Sequence, residues 1–232
     1  MSKIKVLYQY LIALPILVAL TLACAIITIL CIPWKNSWWL NAIQRFWAKS
    51  FCWLYFVPVS VTGTEHVRKR QSYVFVSNHQ SIFDIFTIYG WLPVVFKWLM
   101  KKEVGQIPLV GWACKAAGHI CVDRGHAKAA MESLQAVEKE LVDGVSTVIF
   151  PEGTRSETGE MGRFKRGAFQ IAWDLGLPII PIRLEGCYEV MNRHAKTVTS
   201  HPIHMTIFPE MDLHQYASIE EAIEQVRNII KG

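Results

Sequence analysis

The heptapeptide Asn78-His79-Gln80-Ser81-Ile82-Phe83-Asp84 places a histidine and an aspartate at a short, fixed spacing, just after the apolar run Tyr73-Val74-Phe75-Val76. A carboxylate that holds one imidazole nitrogen aims the other at a substrate proton, and the ring titrates near neutrality, so the pair suits general-base chemistry. Five residues along one helix turn through about 500°, leaving the two side chains roughly 140° apart. They can therefore meet only if the helix starts after His79, with His79 in a strand-to-helix turn and Asp84 in the first helical turn. The same residues also fit a plainer role. Ser81 and Asp84 form the S-x-x-[DE] pattern of a capping box, in which Asp84 satisfies backbone N–H groups.

A second constellation, Phe150-Pro151-Glu152-Gly153-Thr154-Arg155, follows the strand-like stretch Thr147–Phe150. Open α/β sheets bind ligands beyond the carboxyl ends of their strands. Gly153 lets a backbone N–H approach a ligand closely, Thr154 offers a hydroxyl, and Arg155 offers a planar fork of donors suited to phosphate. Two roles are open to Glu152: accepting a substrate hydroxyl, or holding Arg155. A surface turn closed by an internal Glu–Arg pair is the non-catalytic alternative.

Gly118–Arg124 ends another strand with Asp123-Arg124. Arg124 either adds a charge to a phosphate site or neutralises Asp123. Gly162–Ala168 is a basic, glycine-flanked helix start, suited to an anion or to solvent. Leu177-Pro178-Ile179-Ile180-Pro181 carries no titratable group and reads as a loop entering a buried strand.

These stretches need a scaffold, and the pattern of the chain supplies one. Strands are expected at Val59–Thr62, Tyr73–Ser77, Val94–Met100, Ile120–Val122, Thr147–Phe150, Ile179–Leu184 and Ile203–Phe208. Helices are expected at Ile82–Trp91, Leu109–Ala117, Ala127–Val142, Ala168–Asp174 and Ile219–Ile230. This alternation implies an α/β domain, with helices flanking a mixed, largely parallel sheet.

The N-terminal region differs in character. The 232-residue chain is 52% hydrophobic, and the excess is concentrated between Val6 and Trp34, where no charged residue occurs. A bilayer core needs about 20 apolar residues, so a helix here enters or crosses a membrane. The competing signal-peptide reading has basic Lys3 and Lys5 in its favour, but the apolar run is too long and no small-residue cleavage site ends it. A second apolar piece, Trp38 to Val57, is rich in aromatics and broken by Arg45 and Lys49. Tryptophans with basic neighbours favour the headgroup zone, so the two segments suit a hairpin dipping into one leaflet. Burial of the second segment against the globular domain is the alternative. Residues 1–57 thus form a two-helix membrane-anchoring motif and 58–232 the α/β domain.

The net charge of +5 is modest, and its clusters are Arg68-Lys69-Arg70, Lys97 with Lys101-Lys102, and Arg163 with Lys165-Arg166. Beside a membrane anchor they suit anionic lipid or phosphate better than nucleic acid. Six cysteines form no C-x-x-C pair, and the close pair His201/His204 lies in a β-like stretch with Pro202 between its members, so no metal site is expected. A G-x-S-x-G elbow, a Walker A loop, G-x-G-x-x-G and H-E-x-x-H are all missing, which removes support for serine hydrolysis, nucleotide-driven transfer and nicotinamide chemistry.

Taken together, the chain resembles the glycerolipid acyltransferases, specifically the 1-acylglycerol-3-phosphate (lysophosphatidic acid) acyltransferases. The resemblance rests on four ordered blocks: Asn78, His79 and Asp84; Gly118 to Arg124; Phe150 to Arg155; and Leu177 to Pro181. Lys101-Lys102-Glu103 looks like a further family stretch. Cys121 departs from the pattern, where a bulky aromatic is usual. The resemblance implies His79 as general base, Asp84 as its orienting partner, Glu152, Gly153, Thr154 and Arg155 as the acceptor site, and Arg124 and Lys101 as further phosphate contacts. It also implies the two-helix membrane motif, a lysophospholipid acceptor, acyl-CoA or an acyl carrier protein as donor, and no cofactor, because a thioester is already activated. Cytosolic donors place the domain on the cytoplasmic face of the inner or plasma membrane. The acceptor stays open among lysophosphatidic acid, lyso-ornithine lipid, lysophosphatidylethanolamine and lysophosphatidylglycerol, and a catalytically silent lipid-binding protein is the alternative outside the enzyme class.

Overall fold

The structure, a computed structural model, describes residues 3–122, 141 and 144–232. Seven strands form one sheet: β1 (Val59–Thr62), β2 (Val74–Ser77), β3 (Phe96–Lys101), β4 (Ile120–Val122), β5 (Ser146–Ile149), β6 (Ile179–Glu185) and β7 (Ile203–Ile207). Their order is β1-β7-β6-β2-β5-β3-β4, and every neighbouring pair is parallel except β6–β7. The mixed, largely parallel sheet is thus the one expected. Val59–Thr62 and Ile120–Val122 match the expected strands residue for residue. The others differ by one or two positions, and Val74–Ser77 is buried throughout, as a central parallel strand must be.

Seven helices accompany the sheet among the described residues: α1 (Lys3–Leu30), α2 (Trp38–Leu54), α3 (Phe83–Trp91), α4 (Val110–Ala116), α5 (Gly167–Asp174), α6 (Cys187–Val190) and α7 (Ile219–Lys231). Helices α2 and α3 cover one face of the sheet. Phe83, Phe86 and Ile88 pack there with Phe75, Val148 and Ile180. Helices α5 and α7 cover the other, where Phe169, Ala172, Ala222 and Val226 meet Val74, Val76 and Ile179. The expected helix Ala127–Val142 lies outside the described residues. The short α6 was not expected; it starts at Gly186, whose φ of +86° suits glycine, and a Cβ there would meet the Pro202 carbonyl oxygen at 2.1 Å.

Helix α1 is long and apolar enough to cross a membrane. Its foot is tied to the domain: Gln9 Nε2 donates to the Val198 carbonyl at 2.6 Å, and Val198 N–H donates back to Gln9 Oε1 at 3.0 Å. Helix α2 returns antiparallel to it. Tyr8 O–H donates to Leu54 O at 3.0 Å, Trp47 Nε1–H to Thr21 Oγ1 at 2.9 Å, and Gln44 Nε2–H to Thr28 Oγ1 at 3.5 Å. The outer face of α2 exposes Trp38, Phe46 and Trp53, while Phe51 stacks on Phe86 of α3 at 3.8 Å. The inner face of this segment is thus buried against the domain, as the second reading expects. Its two cations turn to the domain: Arg45 donates to the Gly90 carbonyl at 3.3 Å, near the negative end of α3, and Lys49 lies over the Trp91 ring.

Candidate active site

Parallel neighbours β2 and β5 end on the same edge of the sheet, which sets the loops after Ser77 and Ile149 side by side. Helix α3 starts at Phe83, so His79 stands in the turn and Asp84 in the first helical turn. His79 Nδ1 and Asp84 Oδ2 are 2.7 Å apart. The same Oδ2 accepts the N–H of Gln80 at 2.6 Å and of Ser81 at 2.8 Å, and Asp84 is fully buried. Ser81 Oγ accepts Phe83 N–H at 3.1 Å. Capping and pairing are thus done by one carboxylate. Because Asp84 accepts at Nδ1, the proton of the neutral ring sits there and Nε2 keeps its lone pair.

Three further contacts hold His79 in place. Its backbone N–H donates to Glu152 Oε1 at 2.7 Å, and its carbonyl accepts Ser156 N–H at 2.8 Å. Its ring stacks on Phe150 at 4.0 Å, with 9° between the planes, and Phe150 in turn stacks on Trp98 at 5.5 Å. Asn78 reaches across to β6, donating to Leu184 O and accepting Leu184 N–H, both at 2.8 Å. The turn that carries His79 is therefore bonded to both neighbouring strands' ends.

The sequence puts Glu152 at the acceptor or against Arg155. In the structure its two oxygens accept backbone N–H groups, Oε1 from His79 and Oε2 from Gly162, the latter also at 2.7 Å. From this buried position it ties the two loops together. Burial pushes its carboxyl up, and the N–H groups of Gly162 and His79 pull it back down. Gly153 takes a left-handed φ of +79° and closes a turn onto Phe150 O at 3.1 Å. That turn brings Thr154 and Arg155 to the rim of a cavity of about 510 Å³, which His79 also lines. Lys101 is the last residue of β3, on the same strand-end edge. Arg124 lies outside the described residues.

The cavity is lined by His79, Arg155, Trp98, Ile82 and Ile85, and by Ala25 of α1 and Ala113 of α4. Its lining also holds a directed polar chain. Trp98 N–H donates to His119 Nδ1 at 3.3 Å, His119 Nε2–H then points at Tyr89 O–H at 3.2 Å, and Tyr89 donates to Gln44 Oε1 at 3.0 Å. Burial, with the Lys97 ammonium behind it, pushes the His119 imidazole down to about 3. Arg193 also lines the cavity and pairs with Glu157, while His194 Nε2 meets the other oxygen of Glu157 at 2.8 Å. Sequence reasoning placed Asn78, His119 and Phe150 inside its blocks without giving them a role, and it did not single out Arg193. Their partners lie far away along the chain, and no local spacing signals them.

A family model described as Acyltransferase matches residues 58–185, more than half of the chain. The chain belongs to the acyltransferase family. Curated relatives of this chain include the 1-acyl-sn-glycerol-3-phosphate acyltransferase of Limnanthes alba, 31% identical over 180 residues, covering 76% of this chain and 63% of the relative. The 1-acyl-sn-glycerol-3-phosphate acyltransferase alpha of Mus musculus is 36% identical over 149 residues, covering 64% of this chain and 52% of the relative. The chain thus spans from about half to just under two thirds of the length of these relatives. Among solved structures, the 1-acyl-sn-glycerophosphate (LPA) acyltransferase PlsC of Thermotoga maritima superposes with a TM-score of 0.75 at 24% identity, covering 95% of each chain. That likeness extends the shared fold to the N-terminal helices.

Proposed function

We propose that the protein transfers a fatty acyl group from acyl-CoA or an acyl carrier protein to the sn-2 hydroxyl of 1-acyl-sn-glycerol-3-phosphate, giving phosphatidic acid. The observation that carries this reading is His79, with Nδ1 held by Asp84 at 2.7 Å, lining the same cavity as Arg155. His79 Nε2 takes the proton of the acceptor hydroxyl as its oxygen attacks the thioester carbonyl. Asp84 fixes the tautomer and stabilises the imidazolium that forms. The tetrahedral intermediate then expels the thiolate, which takes the proton back from Nε2, leaving ester and thiol. Base catalysis of this kind contributes about 10²–10⁴-fold.

Arg155 pairs with the acceptor phosphate, and Thr154 and the Gly153 backbone lie beside it; Lys101 and Arg124 are further candidates for that phosphate. Holding the phosphate places the hydroxyl near His79 and supplies part of the rate through orientation. Glu152 acts by holding the His79 loop and not by touching substrate. The apolar part of the cavity accepts acyl chain, and α1 keeps the protein at the membrane where lipid substrate and product reside, with the domain on the cytoplasmic side, where the donors are.

The test is incubation of purified protein with radiolabelled acyl-CoA, or acyl carrier protein, and a panel of lysolipids. Strong preference for lysophosphatidic acid supports the reading. Preference for lyso-ornithine lipid, lysophosphatidylethanolamine or lysophosphatidylglycerol reassigns the acceptor. Transfer to none of them would leave a lipid-binding protein.

A further inference from the structure

A second apolar projection stands beside α1, on the catalytic domain itself. Between β3 and α4 the chain makes a tight three-residue turn. Val110 N–H donates to Pro108 O at 2.7 Å, and Leu109 between them adopts φ +64°, ψ −55°. This hand of γ-turn is rare, and such backbone in a bulky residue costs about 1–3 kcal/mol. Two glycines let the body of the domain hold it. A Cβ on Gly111 would lie 2.5 Å from the Gly105 carbonyl oxygen, and one on Gly105 would lie 2.5 Å from Cys121 Sγ.

The strained turn lifts two large apolar side chains clear of the domain. Ile107 is 47% exposed and Trp112 60% exposed. Exposed Lys102 and Lys115 flank them. Helix α4 packs against α1, whose outward face exposes Leu22, Ile26 and Leu30. The inner sides of the same two helices line the cavity, through Thr21, Ala25, Val110 and Ala113. A tryptophan between lysines, continuous with an apolar helix face, is the composition that favours a bilayer's headgroup boundary. A second copy of the chain fits less well, since a stable interface needs roughly 1,200 Å² or more, and two side chains supply a small part of that.

We infer that residues 102–116 form a second membrane-contacting element, in which Ile107 and Trp112 enter the leaflet occupied by α1 and the flanking lysines sit among headgroup phosphates. Insertion on both sides of the cavity turns the seam between α1 and α4 toward the lipid. Lysolipid and product then exchange laterally with the leaflet. The insertion stands on its own; the identity of the exchanged lipids rests on the proposed function.

The test uses the full chain with the photo-crosslinker benzoylphenylalanine placed singly at position 112, at position 26 on α1, and at position 224 on α7, across the sheet from α2 and α3. Each protein is bound to phosphatidylethanolamine–phosphatidylglycerol vesicles, irradiated, and analysed for phospholipid adducts by mass spectrometry. Adducts at 112 in yield comparable to 26, with none at 224, are expected. Adducts at 26 but not at 112, or a protein–protein crosslink at 112, would overturn the proposal. Because this readout needs no turnover, it stands even if every lysolipid fails as an acceptor. Where transfer is observed, an Ile107→Ser/Trp112→Ser double variant should lose activity several-fold on acceptor in vesicles and keep it on acceptor dispersed in detergent. Equal loss in both would overturn the lateral exchange.

Discussion

Glu152 accepts the backbone N–H of His79 at 2.7 Å while its other oxygen accepts Gly162 N–H at the same distance. One buried carboxylate thus ties the loop that carries the base to the loop that carries Arg155 and to the chain ten residues further on. The acid is used because it accepts at both ends. Glutamine cannot do this, since its NH₂ group would face an N–H donor. Glu152→Gln is therefore expected to displace His79, and an ångström of misplacement costs about 10²-fold in rate. Leaving a buried donor unpaired costs about 1–3 kcal/mol. Turnover and thermal unfolding of the variant check both numbers; wild-type kcat with unchanged stability would refute the clamp.

Asp84 has two tasks that substitution can separate. His79→Ala removes the base and leaves the cap on Gln80 and Ser81 intact, so transfer should fall by about 10²–10⁴-fold with little loss of stability. Asp84→Ala removes the cap as well and should cost a further 0.5–2 kcal/mol, roughly, of unfolding free energy. Measuring kcat/KM beside the denaturation midpoint distinguishes the two. Near-normal turnover in His79→Ala with a folded protein would remove it as the base.

What the sequence made legible was local. The spacing of His79 and Asp84 limited them to one geometry, and the helix start at Phe83 realises it. Strand ends carrying polar residues marked the site because parallel strands with buried faces read plainly as apolar runs. Non-local partners could not be read. Asn78 meets Leu184 across more than a hundred residues, Trp98 supports Phe150 through ring stacking, and nothing near Glu152 indicates that its partners are backbone groups. The antiparallel β6–β7 pair was equally hidden, since the strand pattern of Ile203–Ile207 is the same for either direction.

Arg155 should act through the acceptor phosphate. Arg155→Ala is expected to remove a charged hydrogen bond worth about 1.5–3 kcal/mol. That corresponds to a rise in KM of roughly 10- to 100-fold for phosphorylated acceptors, with kcat changing less. Initial rates on lysophosphatidic acid and on a matched acceptor without phosphate make the comparison. An equal loss on both would show that Arg155 holds the loop and not the ligand.

His119 gives a stability signature that does not involve turnover. Its Nδ1 accepts from Trp98 N–H, and the surface it retains faces the cavity, so the ring stays neutral with its pKa pushed down to about 3 by burial and the Lys97 ammonium. In the unfolded chain the same ring titrates near about 6.5. Between these values the unfolded state binds a proton that the folded state refuses. The stabilisation is complete above the higher value and is lost as pH falls below it, by up to about 1.4 kcal/mol per pH unit. His119→Gln keeps a donor and an acceptor but cannot titrate. Thermal unfolding of both proteins, compared between about pH 6.5 and about pH 4.5, should therefore show the wild type losing its advantage over the variant as the solution is acidified. Parallel pH dependences would mean that His119 takes up a proton in the fold, and the directed chain through Tyr89 to Gln44 would have to be redrawn.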